Sequence, residues 1–162
     1  TIAMRVLETY SRVPNFSKRV SSVRAELRST NQTRQAHAAR AVGTLRDVAA
    51  VPDLINLLDD PERRVRDLGL EALCSITGQQ LGTRAGRWRN WWGANADRAR
   101  VEWVIDALSH KEAAVRRWAS SELRRITGQP FALPADGAKS EREVVVRQWK
   151  DWWETRGHAE FS

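Results

Sequence analysis

One segment of this chain is repeated at a fixed spacing of 50 residues. Residues 51–79 and 101–129 are identical at 11 of 29 positions, where chance would give roughly two. The shared positions, named by the first copy, are Val51, Ile55, Leu58, Glu62, Val65, Arg66, Leu73, Ile76, Thr77, Gly78 and Gln79. Internal repetition of this length is typical of arrays in which one supersecondary unit stacks on the next.

Each copy has the apolar periodicity of two consecutive helices. In the first copy, Val51, Leu54, Ile55 and Leu58 have the spacing of one helical face. Asp59-Asp60-Pro61 then ends this helix and starts another, since proline fits the first turn of a helix. The second apolar stripe runs through residues 65–76, and Gly78 is a predicted helix stop. Residues 104–108 and 115–126 repeat the two stripes, with Gly128 as the second stop.

A tryptophan-rich block follows each pair. Residues 88–92 (WRNWW) return as residues 149–153 (WKDWW) at an offset of 61, so the second copy carries an 11-residue insertion around Phe131 to Lys139. Each block predicts a third helix with its tryptophans on one face, and Ser140 with Glu143 predicts a capping box at the start of the later one. We interpret these tryptophans as packing residues, because an indole ring buries a large apolar area.

Helical patterns also precede the first full copy. Residues 34–43 resemble the helix at 65–74, which lies 31 residues later. Two further helices are predicted from apolar positions at Ile2, Val6, Leu7 and Tyr10 and at Val20, Val23 and Leu27. We therefore expect an all-α protein of roughly nine helices without a sheet. Its predicted organisation is a basic N-terminal helical segment, 1–32, and a repeat array, 33–162, with units of about 33–48, 49–98 and 99–158.

Over residues 33–129 the pattern resembles the HEAT-repeat family of paired antiparallel helices. The resemblance rests on the corner Asp59-Asp60-Pro61 followed by Val65-Arg66, and on Val115-Arg116 in the next copy. It implies a short α-solenoid that presents an extended surface without an enclosed pocket. The second copy departs from the family pattern, because Ser109-His110-Lys111 replaces the acidic, proline-containing corner. The tryptophan-bearing third helix is an addition to the plain repeat.

Composition argues against several classes of protein. Hydrophobic residues make up 41% and charged residues 29%, as in an ordinary folded domain, and no apolar run approaches the ~20 residues of a membrane helix. One cysteine and three scattered histidines exclude an internal disulfide and leave little for a metal site. Cys74 lies in an apolar helical stripe and is interpreted as a core residue. No motif of a nucleophile, a phosphate loop or a metalloprotease occurs, so we predict neither catalysis nor a cofactor, metal or small-molecule ligand.

The net charge of +7 is unevenly distributed. Residues 1–50 carry nine basic and three acidic side chains, or +6, whereas every tryptophan lies after residue 87. A surface that stacks nucleic-acid bases needs aromatic rings and positive charge together. This separation along the chain weakens a nucleic-acid function, although the basic first third favours some acidic partner.

Six side chains are predicted to contact a partner: Trp103, Arg19, Arg24, Arg28, Arg40 and Arg117. Trp103 is chosen because it occupies the slot of polar Asp53, so we expect it to be partly exposed. Arg19, Arg24 and Arg28 belong to the basic first third, while Arg40 and Arg117 lie on second helices of pairs. Aligning the units also predicts that Asp67 pairs with Arg117 and Arg40 with Glu71, which would give the inner face both signs of charge.

These observations favour a non-enzymatic protein-interaction or scaffold module, as part of a larger chain or assembly. The alternative is a nucleic-acid-binding protein that uses the basic first third. Some HEAT-like proteins are alkylpurine DNA glycosylases, which combine tryptophans with an aspartate on a basic concave surface, but no residue-by-residue match to that site is found here. The chain opens at Thr1 without a start methionine and shows no leader, so we expect it to be processed or a piece of a longer protein, and the cytoplasm is favoured.

Overall fold

The computed structural model describes residues 15–161, which form two compact units, 15–97 and 98–161. Both units are built from α-helices, and within residues 15–161 there is no strand. The predicted all-α class is therefore confirmed. The first predicted helix, with Ile2, Val6, Leu7 and Tyr10, lies outside the described residues.

The first unit contains five α-helices. They are α1 Phe16–Ala25, α2 Gln32–Leu45, α3 Val51–Leu57, α4 Arg63–Thr77 and α5 Ala85–Asn95, with short 3-10 turns at Glu26–Arg28 and Val48–Ala50. The side chain of Asn31 accepts a hydrogen bond from the backbone N–H of Arg34 at 3.0 Å and so caps the start of α2. Helix α2 packs along α4, and α3 packs against α4. The predicted helix pair α3–α4 is therefore joined by α2, which belongs to the predicted repeat unit 33–48.

The second unit repeats this pair. Its helices are α6 Arg100–Ala107, α7 Ala113–Thr127, α8 Lys139–Trp152 and α9 His158–Phe161, with a π-helical turn at Trp153–Gly157 between the last two. Helices α6 and α7 pack as a pair in the manner of α3 and α4. Helix α8 begins at Lys139, one residue before the predicted start, and the carboxylate of Glu141 rather than Glu143 accepts the backbone N–H of Ala138 at 3.1 Å.

The repeated arginine holds the corner of each pair. Arg66 Nη1 donates to the carbonyl oxygens of Asp60 and Pro61 at 2.7 and 2.8 Å, and Arg116 Nη1 donates to those of His110 and Lys111 at 2.7 Å each. These carbonyls lie in the turn between the two helices, where no helical N–H is available to them. The positions match at the 50-residue offset, so the Val-Arg motif has a structural role in both copies.

The divergent corner of the second copy keeps the same hydrogen bond with a different acceptor. In the first copy, Asp60 Oδ1 accepts from the backbone N–H of Glu62 at 2.8 Å. In the second copy, His110 Nδ1 accepts from the N–H of Glu112 at 3.0 Å. The imidazole therefore replaces the carboxylate as the acceptor at the start of the second helix.

Local turn chemistry ends both second helices. Thr77 Oγ1 donates to Leu73 O and Thr127 Oγ1 donates to Leu123 O, each at 2.7 Å. Gly78 and Gly128 follow with φ angles of 72° and 71°, a left-handed conformation that glycine adopts without steric cost. Both predicted helix stops are confirmed.

The third helices deliver tryptophans to the two cores, as predicted. In the first unit Trp88 is fully buried beside Leu54 and Leu73, and its Nε1 donates to Gly82 O at 2.8 Å. Trp91 and Trp92 are half-buried. In the second unit Trp149 and Trp152 pack edge to face with ring centroids 5.8 Å apart, and both are buried together with Trp153.

The expected exposure of Trp103 is wrong, because its side chain is 0% exposed. The equivalent position of the first copy shows why: Asp53 is only 13% exposed beneath Arg28. This row of the helix faces protein in both copies, so a change from aspartate to tryptophan places an indole ring in the interior. Trp103 therefore offers no surface to a partner.

Candidate partner-binding surface

An open groove runs between α2 and α4 in the first unit. Its volume is about 230 Å³. The floor is formed by the small residues Ala39, Gly43 and Ala72. A Cβ atom at Gly43 would lie 3.1 Å from both Cα and Cβ of Ala72, so the two helices approach closely at this point. The close approach makes the groove shallow and leaves its walls to longer side chains.

Charged side chains of opposite sign form the two walls of this groove. Helix α2 supplies Arg40, and Arg46 follows at the end of the helix, whereas α4 supplies Glu71. Within residues 15–161 no ion pair engages Arg40 or Glu71, so the predicted pairing between them is not formed although both line the same groove. Helix α2 carries arginines but no carboxylate. The groove therefore presents the exposed side chains of Arg40 and Glu71 on opposite walls.

The backbone conformation of Arg46 and a hydrogen bond from its side chain place its guanidinium at the end of the groove. It ends α2 in the left-handed conformation, with φ at 55°, and its Nη1 donates to Gly43 O at 2.6 Å. This arrangement fixes the guanidinium above the small-residue floor. Alignment of the units had placed Glu71 opposite Arg40, but sequence reasoning did not assign Arg46 to this surface, because only the packing of α2 on α4 brings it to the groove.

Two of the predicted partner-binding arginines are used inside the first unit. Arg24 donates from Nε and Nη2 to both carboxylate oxygens of Asp47, at 2.8 and 2.9 Å, and is 28% exposed. The hydrogen bond to Asp47 raises the pKa of Arg24 above its ordinary value. Arg28 Nε donates to Asp53 Oδ1 at 3.0 Å, although most of its side chain remains exposed. These pairs attach the N-terminal helices to the repeat and neutralise part of the basic first third.

Arg19 and Arg117, two more of the predicted contact residues, do not line the groove between α2 and α4. Arg19 is exposed on α1. Arg117 donates to both oxygens of Asp136 at 2.8 Å, and Asp67 lies 3.5 Å from Arg63 of its own helix, so each residue of the predicted pair has a partner within its own unit. Of the six predicted contact residues, Arg40 lines the groove and Trp103 is buried.

A second cavity, of about 160 Å³, lies in the unit 98–161. It contains Arg98, Glu102 and Trp153. Arg98 is paired with Asp106 at 2.7 Å, and Glu102 accepts from Trp153 Nε1 at 2.9 Å. Because these polar groups satisfy one another, this cavity is a weaker candidate for a ligand than the groove between α2 and α4.

The shifted pKa values of Cys74 and Glu122 are explained by burial and by ion pairs within the fold. Burial raises the pKa of the Cys74 thiol to about 11, which is the opposite of what a nucleophile requires. Burial alone would raise the pKa of Glu122, but the hydrogen bond from Arg125 and the charge of Arg100 outweigh it and lower the pKa to about 2. Across the described part of the chain, no group of His, Cys, Asp and Glu has an arrangement that could hold a metal ion.

Comparison with known proteins gives one family match. Residues 35–60, from α2 through α3 to the corner, match the family model described as PBS lyase HEAT-like repeat. No curated protein and no solved structure matches the chain. In the described range, none of the helices combines the length and apolar character needed to cross a membrane.

Proposed function

We propose that this chain, whose residues 35–60 match a HEAT-like repeat, is a non-enzymatic protein-interaction module whose groove between α2 and α4 binds a segment of a partner protein. HEAT-like repeats form helical modules that commonly mediate protein interactions. The observation that carries the proposal is the groove itself: an open surface on the second helices, with walls of opposite charge that do not pair with each other.

The groove matches an extended peptide segment better than a nucleic acid. A backbone phosphate track requires unpaired positive charge along its whole length. Here Glu71 forms one wall, and Arg24 and Arg28 are engaged by aspartates elsewhere in the unit. A peptide that carries an acidic side chain for Arg40 and a basic or amide group for Glu71 would satisfy both walls. The order of these two groups would fix the direction in which the peptide lies.

A peptide display library panned against the full chain tests this proposal. Enriched peptides, synthesised with a fluorophore, should bind the wild-type protein in a polarisation assay. The variants Arg40→Glu and Glu71→Arg should each weaken binding about tenfold or more, because each replaces an attractive charge by a repulsive one in the groove. Arg87→Glu, on the exposed side of α5, makes the same change of charge outside the groove and is the matched control.

The opposite pattern would contradict the proposal. If no peptide is enriched, or if the selected peptides bind the groove variants and the Arg87→Glu variant equally well, the groove is not the binding surface. A labelled DNA duplex, titrated with salt, tests the alternative function in the same assay. Tight binding that falls steeply with salt concentration would favour a nucleic-acid partner.

A further inference from the structure

The insertion in the second copy has a defined structure. Between Gly78 and α5 the first copy has six linking residues, 79–84, whereas between Gly128 and α8 the second copy has ten, 129–138. The remaining seven inserted residues lengthen α8 ahead of its tryptophans, since Trp88 is the fourth residue of α5 and Trp149 is the eleventh of α8. We call residues 130–138 the strap.

The strap alternates between protein and solvent over residues 131–136, and a hydrogen bond from Gly137 N–H to Pro134 O at 2.8 Å closes a turn near its end. Leu133 and Ala135 are buried and Phe131 is half-buried, while the residues between them, Ala132 and Pro134, are exposed. Phe131 packs edge to face on Trp149 with ring centroids 5.1 Å apart. This alternation is the pattern of a chain with one face on a core. The strap therefore contributes to the core of the unit 98–161.

Helix α7 binds the backbone of the strap through buried side chains. Arg116 donates from Nε and Nη2 to Ala135 O at 3.0 and 2.6 Å, and Ser120 Oγ accepts the N–H of Leu133 at 3.1 Å. Both side chains are more than nine-tenths buried. The ion pair of Arg117 with Asp136 closes the contact at the surface.

Two of the three residues that bind the strap, Ser120 and Arg117, differ between the two copies, whereas Arg116 is shared. Leu70 stands in the first copy where Ser120 binds the strap, and Asp67 stands where Arg117 pairs with Asp136. Within residues 15–161, the side chain of Arg66, the counterpart of Arg116, donates hydrogen bonds only to the corner carbonyls. The strap, Ser120 and Arg117 thus belong to the second copy alone, and the shared arginine has the strap as an additional acceptor only in this copy.

We propose that the strap occupies, in cis, the face of α7 on which a further helix pair or a second copy of this chain would stack. Repeat units bury their apolar faces on one another, so an uncovered face leads to association unless a cap with a polar outer side covers it. The strap supplies that cap: its inward residues fill the face, and its outward residues and Asp136 meet solvent. The face of α7 that carries Arg116 and Ser120 accepts an apolar segment, and in this chain that segment is the strap.

Replacing residues 130–138 by nine Gly and Ser residues in the full chain tests this role. The variant should self-associate as its concentration is raised, measured by light scattering on a sizing column, because the face of α7 is uncovered. A synthetic peptide of residues 129–138, added in excess, should bind the variant, restore the mass of the wild-type protein and raise the melting temperature. A variant with the mass of the wild-type protein and no affinity for the peptide would overturn the proposal.

Milder substitutions keep the proposal testable if that variant fails to fold. Ser120→Ala should speed hydrogen exchange at the Leu133 amide about tenfold or more, because this buried N–H loses its acceptor. Arg116→Lys should lower the melting temperature more than Arg66→Lys, since only Arg116 binds the strap as well as a corner. Unchanged exchange at Leu133 together with equal shifts for the two lysine variants would show that α7 does not hold the strap.

Discussion

The buried carboxylate of Glu122 offers the sharpest test of how the second unit is stabilised. Its side chain on α7 is 5% exposed. Arg100 of α6 donates to Oε1 at 2.8 Å, and Arg125 donates to Oε1 and Oε2 at 2.7 and 3.1 Å. A carboxylate in this position depends on both cations, because burial without partners would drive it to take up a proton.

The magnitude follows from the pKa of Glu122, which lies at about 2 instead of 4.5. One pKa unit corresponds to about 1.4 kcal/mol, so the ionised form contributes at most about 3 kcal/mol to the free energy of unfolding. Partial exposure of Arg125, at 38%, reduces this to about 2–3 kcal/mol. Since the folded-state pKa is lowered, the contribution is fully present above pH 4.5 and is lost as the pH falls towards 2.

Glu122→Gln removes the charge but keeps the shape of the side chain. Urea unfolding followed by tryptophan fluorescence should show the variant about 2–3 kcal/mol less stable than the wild-type protein at pH 7. The difference should shrink as the pH falls from 4.5 towards 2, because Glu122 then loses the charge that the glutamine lacks, while the other carboxylates titrate alike in both proteins. Glu143→Gln, at an exposed pair with Lys139, is the control and should change stability by less than about 0.5 kcal/mol. A difference for Glu122→Gln that is the same at neutral and acidic pH would refute this reasoning.

Three further predictions concern single residues. Because the thiol of Cys74 has a pKa of about 11, iodoacetamide at mildly alkaline pH should modify the folded protein about a hundredfold more slowly than a free cysteine, as followed by mass spectrometry; rapid modification would contradict its burial. Gly78→Ala should cost about 1–2 kcal/mol in thermal unfolding because φ is 72°, whereas Gly93→Ala, in open space within α5, should stabilise by about 0.5–1 kcal/mol. His110→Ala should cost about 1 kcal/mol by removing the acceptor for Glu112, and His110→Asp, the acceptor type of the first copy, should retain stability; equal melting temperatures for His110→Ala and the wild-type protein would exclude a capping role.

The repeat predicted the helix pairs and their ends because these depend on local chemistry. Apolar spacing places Leu54 and Leu73 in the core, and Gly78 ends its helix through a conformation that its own lack of a side chain permits. The identity of Arg66 and Arg116 across the two copies was visible in the sequence as well. Its role as the clamp of each corner required the positions of the turn carbonyls.

Contacts between distant segments were decided by the tertiary structure alone. Periodicity shows that a helix has an apolar face, but it does not show which neighbour covers the remaining positions. Trp103 is buried for this reason, and Arg24 is matched to Asp47, 23 residues away, instead of facing a partner. The groove between α2 and α4 likewise exists only because Gly43 and Ala72 let two helices approach, which leaves Arg40 and Glu71 on opposite walls.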